Sequence, residues 1–474
     1  MAGIGFELRK LAARGDLSGL AQGYFHAGVA AAGPWLMTVI ALAAVNIVAP
    51  ARLSPLDRAT FQGIVLYNFG FSLIAAAPIA AVATRFLADA IFSRDLSGVT
   101  GMLVGALGLT TAVVAPPAAL FYLARPETAP AVKTLAIVNA VVIGGIWIAT
   151  VFSTALKNHQ AVTRAFGLGL TLGLAGVGWL GPYFGLAGML AGFTAGLSFT
   201  LFALIARALA EYRHPARAPL AFLEGFRRHR MLALSALVYN TAIWADKWVM
   251  WMATERTALP NGLVSYPDYD TAMFFAYLTI LPSLAFFVVE AETEFFERYR
   301  AFFRSILEHG SWETILERQE EIAGCIWRTG RTLALMQTGI AAAAILAAPR
   351  LFEAMHLNLS QYGIFRLGVV GAGFHMMLLF LGIVLGYFEL HRVALACYGL
   401  FLALNTGFTL LSLHFGFAWY GWGYLMASAL AFLAAFLATA GYLGRLPYVS
   451  MVLTNPALST RTLSGGAGSR IAVQ

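Results

Sequence analysis

The sequence predicts an all-α polytopic membrane protein, with about twelve spanning helices in two six-helix bundles. Three observations predict it. Hydrophobic residues make up 59% of the 474 and charged residues 11%. That is far below the roughly 25% charge of a soluble domain, too little to cover a water-facing surface. The apolar residues gather into long runs, and the basic residues gather between them. The 47 glycines and 35 phenylalanines suit helices packed closely in lipid, where small residues let backbones approach.

A spanning helix takes roughly 20 predominantly apolar residues. Runs of that kind occupy 25–49, 61–84, 99–124, 132–152, 163–182, 185–206, 232–252, 271–290, 330–349, 363–386, 392–413 and 417–441. The fifth and sixth are parted only by Gly181, Pro182, Tyr183 and Phe184, and the last two by a short turn near His414. A re-entrant hairpin at either place lowers the count to ten or eleven. The first apolar run starts near Tyr24 and is too long for a cleavable leader, so it is expected to stay as the first span.

The basic residues set an orientation. With a cytoplasmic N-terminus, 23 of the 31 lysines and arginines fall inside and seven outside, with Lys247 inside a span. Such a bias places both termini in the cytoplasm. It also explains the net charge of +8 without nucleic acid.

The expected organisation follows. Residues 1–24 form a cytoplasmic amphipathic segment, with Ile4, Leu8 and Leu11 beside Arg9, Lys10 and Arg14. Residues 25–206 form the first bundle and 207–231 a basic cytoplasmic linker. Residues 232–441 form the second bundle, interrupted by a cytoplasmic amphipathic insertion at 291–329, and 442–474 form a cytoplasmic tail. In the insertion Phe295, Tyr299, Phe302 and Ile306 make an apolar stripe among charged residues. Such a stripe either lies on the membrane or docks a cytoplasmic partner.

Charges inside spans mark candidate functional positions, because hydrocarbon penalises them unless they find partners or water. Asp246 and Lys247 are the clearest case. Adjacent helix positions point about 100° apart, so the two need not pair, and Asp246 is expected in a substrate path. Glu290 and Glu294 share a helical face at the inner end of the eighth span and would favour a cationic cargo. Asn46, Asn139 and Asn240, like Asn68 and Asn405, either line a polar path or join helices. Arg85 and Asp89, four apart, read as a local ion pair. Scattered His26, His375 and His414 read as packing histidines or proton relays. Trp35, Trp147, Trp179, Trp248, Trp251, Trp419 and Trp422 read mostly as interfacial anchors.

Enzyme signatures are missing from the sequence. It has no G-x-x-x-x-G-K-[ST] loop and no H-E-x-x-H, and Cys325 and Cys397 fit no metal-ligand spacing. No cofactor is expected. Asp268-Tyr269-Asp270 spells D-x-D but reads as an external loop.

The opening MAGIGFELRKL (Met1–Leu11) and the string GYFHAGVAAAGPW (Gly23–Trp35) resemble the Pel exopolysaccharide transporter family. That family is similar to the multidrug/oligosaccharidyl-lipid/polysaccharide flippases, whose two six-helix bundles surround a central cavity. The resemblance implies a flippase-like exporter of polysaccharide in a bacterial inner membrane. It also implies assembly with a cytosolic glycosyltransferase, PelF, and the membrane proteins PelD and PelE. It supplies no catalytic motif. The alternatives are a multidrug or lipid-linked oligosaccharide exporter, a non-conducting scaffold for a synthase, and, least favoured, a membrane glycosyltransferase.

Overall fold

A computed structural model describes residue 45 and residues 54–449, apart from 156–158, 260, 355–357 and 359. The expected N-terminal segment 1–24, nearly all of the first span, Asn46, His26, Trp35 and the end of the tail lie outside the described residues.

The first described helix, α1 (Pro55–Ser93), starts where Ser54 Oγ accepts from the Asp57 amide at 3.0 Å and Pro55 presets the first turn. Both are strong start signals, since each deals with an amide that has no helical partner. It ends at Arg94, whose backbone is left-handed. Helices α2 (Val99–Leu123) and α3 (Pro130–Ala155) follow and pack against α1 and each other.

Next comes α4 (His159–Glu211), which is two antiparallel arms rather than one rod. Gly185, with φ +56° and ψ −136°, breaks it, a conformation that only glycine adopts freely. Beyond the break Gly192 lies against Gly176 so closely that a Cβ on Gly176 would stand 2.7 Å from the Gly192 Cα. The arms are the expected fifth and sixth spans, so this pair is a true hairpin of two crossings.

The linker 207–231 is not a free strap. It holds a short helix, α5 (Leu223–Arg228). The Arg217 and Pro219 carbonyls rest on Gly101 and Gly105 of α2, and the Phe222 ring is buried.

The second bundle begins with α6 (Arg230–Met250). A two-stranded antiparallel hairpin follows, β1 (Thr257–Ala258) and β2 (Val264–Ser265), and then α7 (Pro267–Leu278) and α8 (Leu281–Glu290). A π turn at Ala291–Phe295 leads into α9 (Phe296–Leu307). Helices α10 (Trp312–Ala354), α11 (Ser360–Tyr387), α12 (His391–Phe415) and α13 (Trp422–Leu443) complete the bundle, with a short α14 (Leu446–Tyr448) after it. Helix α6 packs along α12, α7 along α11, and α13 against both α11 and α12. The two bundles meet mainly where α1 lies along α6.

Among the described residues, nine helical stretches are long and apolar enough to cross a membrane. One of these is the α4 hairpin, which crosses twice. Helix α6, with 21 residues, has the length but carries Asp246 and Lys247. The expected spans from the second onward are therefore all present as helices.

The region 291–329 folds as amphipathic helices, α9 and the first part of α10. Helix α10 runs unbroken for 43 residues, from the amphipathic stretch straight through the expected span 330–349. Nothing in 312–348 breaks a helix strongly enough to separate them. Helix α9 folds back along the start of α10 after a turn at His309, whose φ is +57°. The apolar stripe is covered by the chain itself. Phe302 is fully buried, the Phe295 ring meets Tyr387 at 5.0 Å, and the Tyr299 hydroxyl donates to the Tyr387 carbonyl at 3.1 Å. Ile306 is partly buried on the same core. The apolar end of the chain's own α11 lies within reach, so the stripe closes on it instead of presenting a free docking face.

Candidate functional site

The sequence singles out Asp246 and Lys247, and the structure builds its most polar interior around them. Both sit on the last turns of α6. The Lys247 ammonium is 3.2 Å from each Asp246 carboxylate oxygen and 3.2 Å from the Ile243 carbonyl one turn back. The two side chains thus pair, against the divergence expected for neighbours on a helix. Lysine's four-carbon stem is long enough to curl back across that angle. Asp246 is 0% exposed. It also accepts from the Tyr269 hydroxyl at 3.0 Å and lies 3.4 Å from Asn405 Nδ2, which itself donates to the Ala242 carbonyl at 2.9 Å. Residues from α6, α7 and α12 therefore converge on one carboxylate.

Aromatic residues extend the cluster. Lys247 Nζ stands 4.8 Å above the Tyr277 ring, a cation–π distance. Tyr277 and Tyr424 lie 5.6 Å apart. His375 bridges two tyrosine hydroxyls, Tyr424 at 2.8 Å from Nδ1 and Tyr239 at 2.9 Å from Nε2. In a neutral imidazole one nitrogen donates and the other accepts, so this histidine can satisfy both neighbours without charge. The arrangement neutralises Asp246 and Lys247 together and ties α6, α7, α11, α12 and α13 to one another.

The first bundle carries a polar interior of another kind. The Tyr122 hydroxyl donates to Asn68 Oδ1 at 2.8 Å. Asn68 Nδ2 donates to Asn139 Oδ1 and to the Ala136 carbonyl, both at 2.9 Å, and Asn139 Nδ2 donates to Thr194 Oγ1 at 3.0 Å. Asn139 is fully buried and joins helices instead of facing an open path. Asn240 is half-buried and bonds its own helix at the Ala236 carbonyl.

Glu290 and Glu294 part company. Glu290 lines a tight cleft with Phe287, Phe295, Thr329, Phe380 and Tyr387, with room for about 10 Å³. Glu294 is paired with Arg298 at 2.6 Å and Arg328 at 2.9 Å. The negative mouth expected from the two is thus countered at Glu294 by two guanidinium groups.

At the end of the bundles that carries the basic segments, the expected Arg85–Asp89 pair is present at 3.4 Å, and Arg85 also reaches Glu389 of the second bundle at 2.8 Å. His229 lies beside them. Burial pushes its imidazole below the ordinary range, and Arg85 and Arg228 push the same way against Asp89 and Glu389.

The D-x-D triplet is part of a helix, not a loop. Asp268 and Asp270 lie in the first turn of α7. Asp270 accepts from Trp251 Nε1 at 3.0 Å and the Tyr266 amide at 3.3 Å, and Asp268 accepts from Gln361 at 2.8 Å. Two expected interfacial anchors also prove to be packing residues between bundles. Trp248 stacks on Phe71 at 5.2 Å and Trp251 on Tyr67 at 4.7 Å. Trp179, by contrast, is well exposed at the protein surface, as an anchor should be. Cys325 and Cys397 are free and buried.

Sequence reasoning missed Tyr239, Tyr269, Tyr277 and Tyr424. A signal existed, because tyrosine in a spanning helix usually sits near the interface, and these fall within the expected spans or close to an end.

Most of the chain resembles solved transporters in fold. An inward-facing multidrug resistance MATE family transporter of the MOP superfamily superposes with a TM-score of 0.61 at 17% identity, covering 86% of this chain and 96% of that one. A MOP superfamily transporter from Pyrococcus furiosus gives 0.59 at 16%, covering 89% and 96%. A variant of the Vibrio cholerae MATE transporter VcmN gives 0.64 at 15%, covering 93% and 98%. At such identities the likeness is one of fold: two helical bundles in the flippase-like arrangement of multi-pass membrane transporters. No curated protein matches. The family model described as "PelG: Putative exopolysaccharide Exporter (EPS-E)" matches residues 1–450, and the chain belongs to the PelG family.

Proposed function

We propose that this protein exports the Pel polysaccharide across the bacterial inner membrane by opening its two bundles alternately to either side. The observation that carries the reading is the family match over residues 1–450 on a chain folded as a two-bundle transporter. The termini face the cytoplasm, as the basic residues argue, so the Arg85–Glu389 end is the inner end and the β-hairpin end the outer. A cytosolic glycosyltransferase, PelF, and the membrane proteins PelD and PelE supply and hold the growing chain. Asp246 and Lys247 act first as the tie that keeps the second bundle rigid while it moves.

A second reading is a multidrug or lipid-linked oligosaccharide exporter. The fold favours it, because the multidrug transporters above superpose over nearly the whole chain. One experiment separates the readings. Sealed inverted vesicles carrying the protein and its partner synthase are given labelled nucleotide sugar. Polymer protected from an added glycosidase inside the vesicles supports polysaccharide export. Polymer left wholly outside, with cationic dye accumulated instead, supports the second reading.

A further inference from the structure

The β-hairpin between α6 and α7 belongs to the second bundle by sequence, yet its tip is fastened to the first. Its base is held firmly. Asp270 accepts from Trp251 at one stem and from the Tyr266 amide at the other, and the Tyr420 hydroxyl donates to Glu255 at 2.9 Å. These hydrogen bonds lie within the second bundle and tie the base to it, although the Trp251 ring also stacks on Tyr67 of α1 at 4.7 Å. The turn is tight: the Leu259 amide donates to the Leu263 carbonyl at 2.8 Å, and Gly262 sits at φ +75°.

The tip contacts run to the other bundle. The Tyr67 hydroxyl of α1 donates to the Val264 carbonyl at 2.7 Å and accepts from the Val264 amide at 3.2 Å. One side chain thus satisfies both backbone groups of a strand residue, as a neighbouring strand would. Leu263 is 1% exposed, and a Cβ on Gly63 of α1 would lie 3.4 Å from both Leu259 and Leu263. Arg125, stacked on Phe121 at 3.6 Å, reaches toward the Gly262 carbonyl at 3.5 Å.

A segment rigidly based on one body and buried on another must come loose when the two separate at that end. We infer that the 251–266 hairpin is a lid across the junction of the bundles, latched by Tyr67, and that release of cargo requires the latch to open. This inference rests on the transport reading given above. Tyr67 suits a latch because its two hydrogen bonds can be exchanged for bonds to water at small net cost. The apolar contact at Gly63 gives the lid a seat without locking it.

Two measurements test it. In a background with Cys325→Ser and Cys397→Ser, Gly63→Cys and Leu263→Cys are joined by a short, reducible thiol cross-linker. Cross-linking is expected to abolish export in the vesicle assay and reduction to restore it. Undiminished export by the cross-linked protein overturns the lid. The second measurement needs no cargo. Spin labels on Thr257→Cys and Glu127→Cys, both exposed in the structure, report the distance from hairpin to first bundle in lipid nanodiscs. A short and a long population are expected, the long one rising about threefold in Tyr67→Phe through loss of the latch bonds. A single distance unchanged by Tyr67→Phe overturns the lid. If the parent exports no polymer but the two populations appear, the polysaccharide reading fails and the lid stands.

Discussion

The two bundles solve the same problem with opposite chemistry. Each must hold long helices together in a solvent that offers no hydrophobic reward for helix contact. The first relies on glycine contacts in the α4 hairpin and on the neutral amide network of Asn68, Asn139, Thr194 and Tyr122. The second buries a full ion pair, Asp246 with Lys247, and surrounds it with tyrosines and His375. A neutral network tolerates the loss of a member, because each bond is worth little against a reference state that also finds partners. A buried ion pair does not, because removing one charge strands the other. The first bundle is therefore built to be robust. The second depends on one carboxylate.

Breaking that carboxylate should give the largest effect. Asp246→Asn leaves the Lys247 ammonium without its partner and is expected to destabilise the protein by about 3–5 kcal/mol. Membrane abundance and the thermal midpoint in detergent should both fall. Adding Lys247→Met should recover much of the loss, since a neutral pair leaves no stranded charge. Normal abundance and midpoint in Asp246→Asn alone would mean that the pair carries no structural weight, and would return Asp246 to a path role.

The first bundle's weak point is geometric. Gly192→Val places a side chain against the Gly176 backbone and is expected to cost about 1–3 kcal/mol through overpacking. Proteolysis around the Gly185 break should rise as the arms part. Next in size is Asn139→Ala, which removes bonds to Asn68 and Thr194. It should lower stability by about 1–2 kcal/mol, clearly less than Asp246→Asn. If the two substitutions cost the same, the contrast between bundles is wrong.

The smallest effect lies between the bundles. His229 titrates below the ordinary histidine range because of burial and the nearby Arg85 and Arg228. A depressed value in the folded protein means that the neutral form is the one favoured by folding. Its contribution is present above the unfolded value and is lost as pH falls through the folded one. Acidification should therefore loosen the Arg85–Glu389 junction slightly. The thermal midpoint should drop a little more for the wild type than for His229→Asn between neutral pH and pH 5. Identical pH profiles would show that His229 plays no part there.

Much of this was legible in the residues. The expected spans could be read off because a helix in lipid needs an apolar run of set length, and even the glycine-parted hairpin of α4 announced itself by Gly181 and Pro182. Asp246 and Lys247 stood out because charge in such a run is rare. The amphipathic stripe of Phe295, Tyr299, Phe302 and Ile306 was visible too, but its destination was not. Periodicity shows that a face is apolar and is silent on what covers it. Here the cover is the end of α11, more than eighty residues away in the chain.

The sequence by itself determined the class of fold, the spans and the charges that hydrocarbon would penalise. Those follow from local composition and the thickness of a bilayer. The tertiary structure alone decided the partners: that Lys247 curls back onto Asp246, that Glu294 is countered by Arg298 and Arg328, that Trp248 and Trp251 join the bundles, and that the hairpin tip rests on Tyr67. The physical reason is separation along the chain. Tyr67 and Val264 lie 197 residues apart, and no local pattern records a contact that only the packing of two bundles brings about.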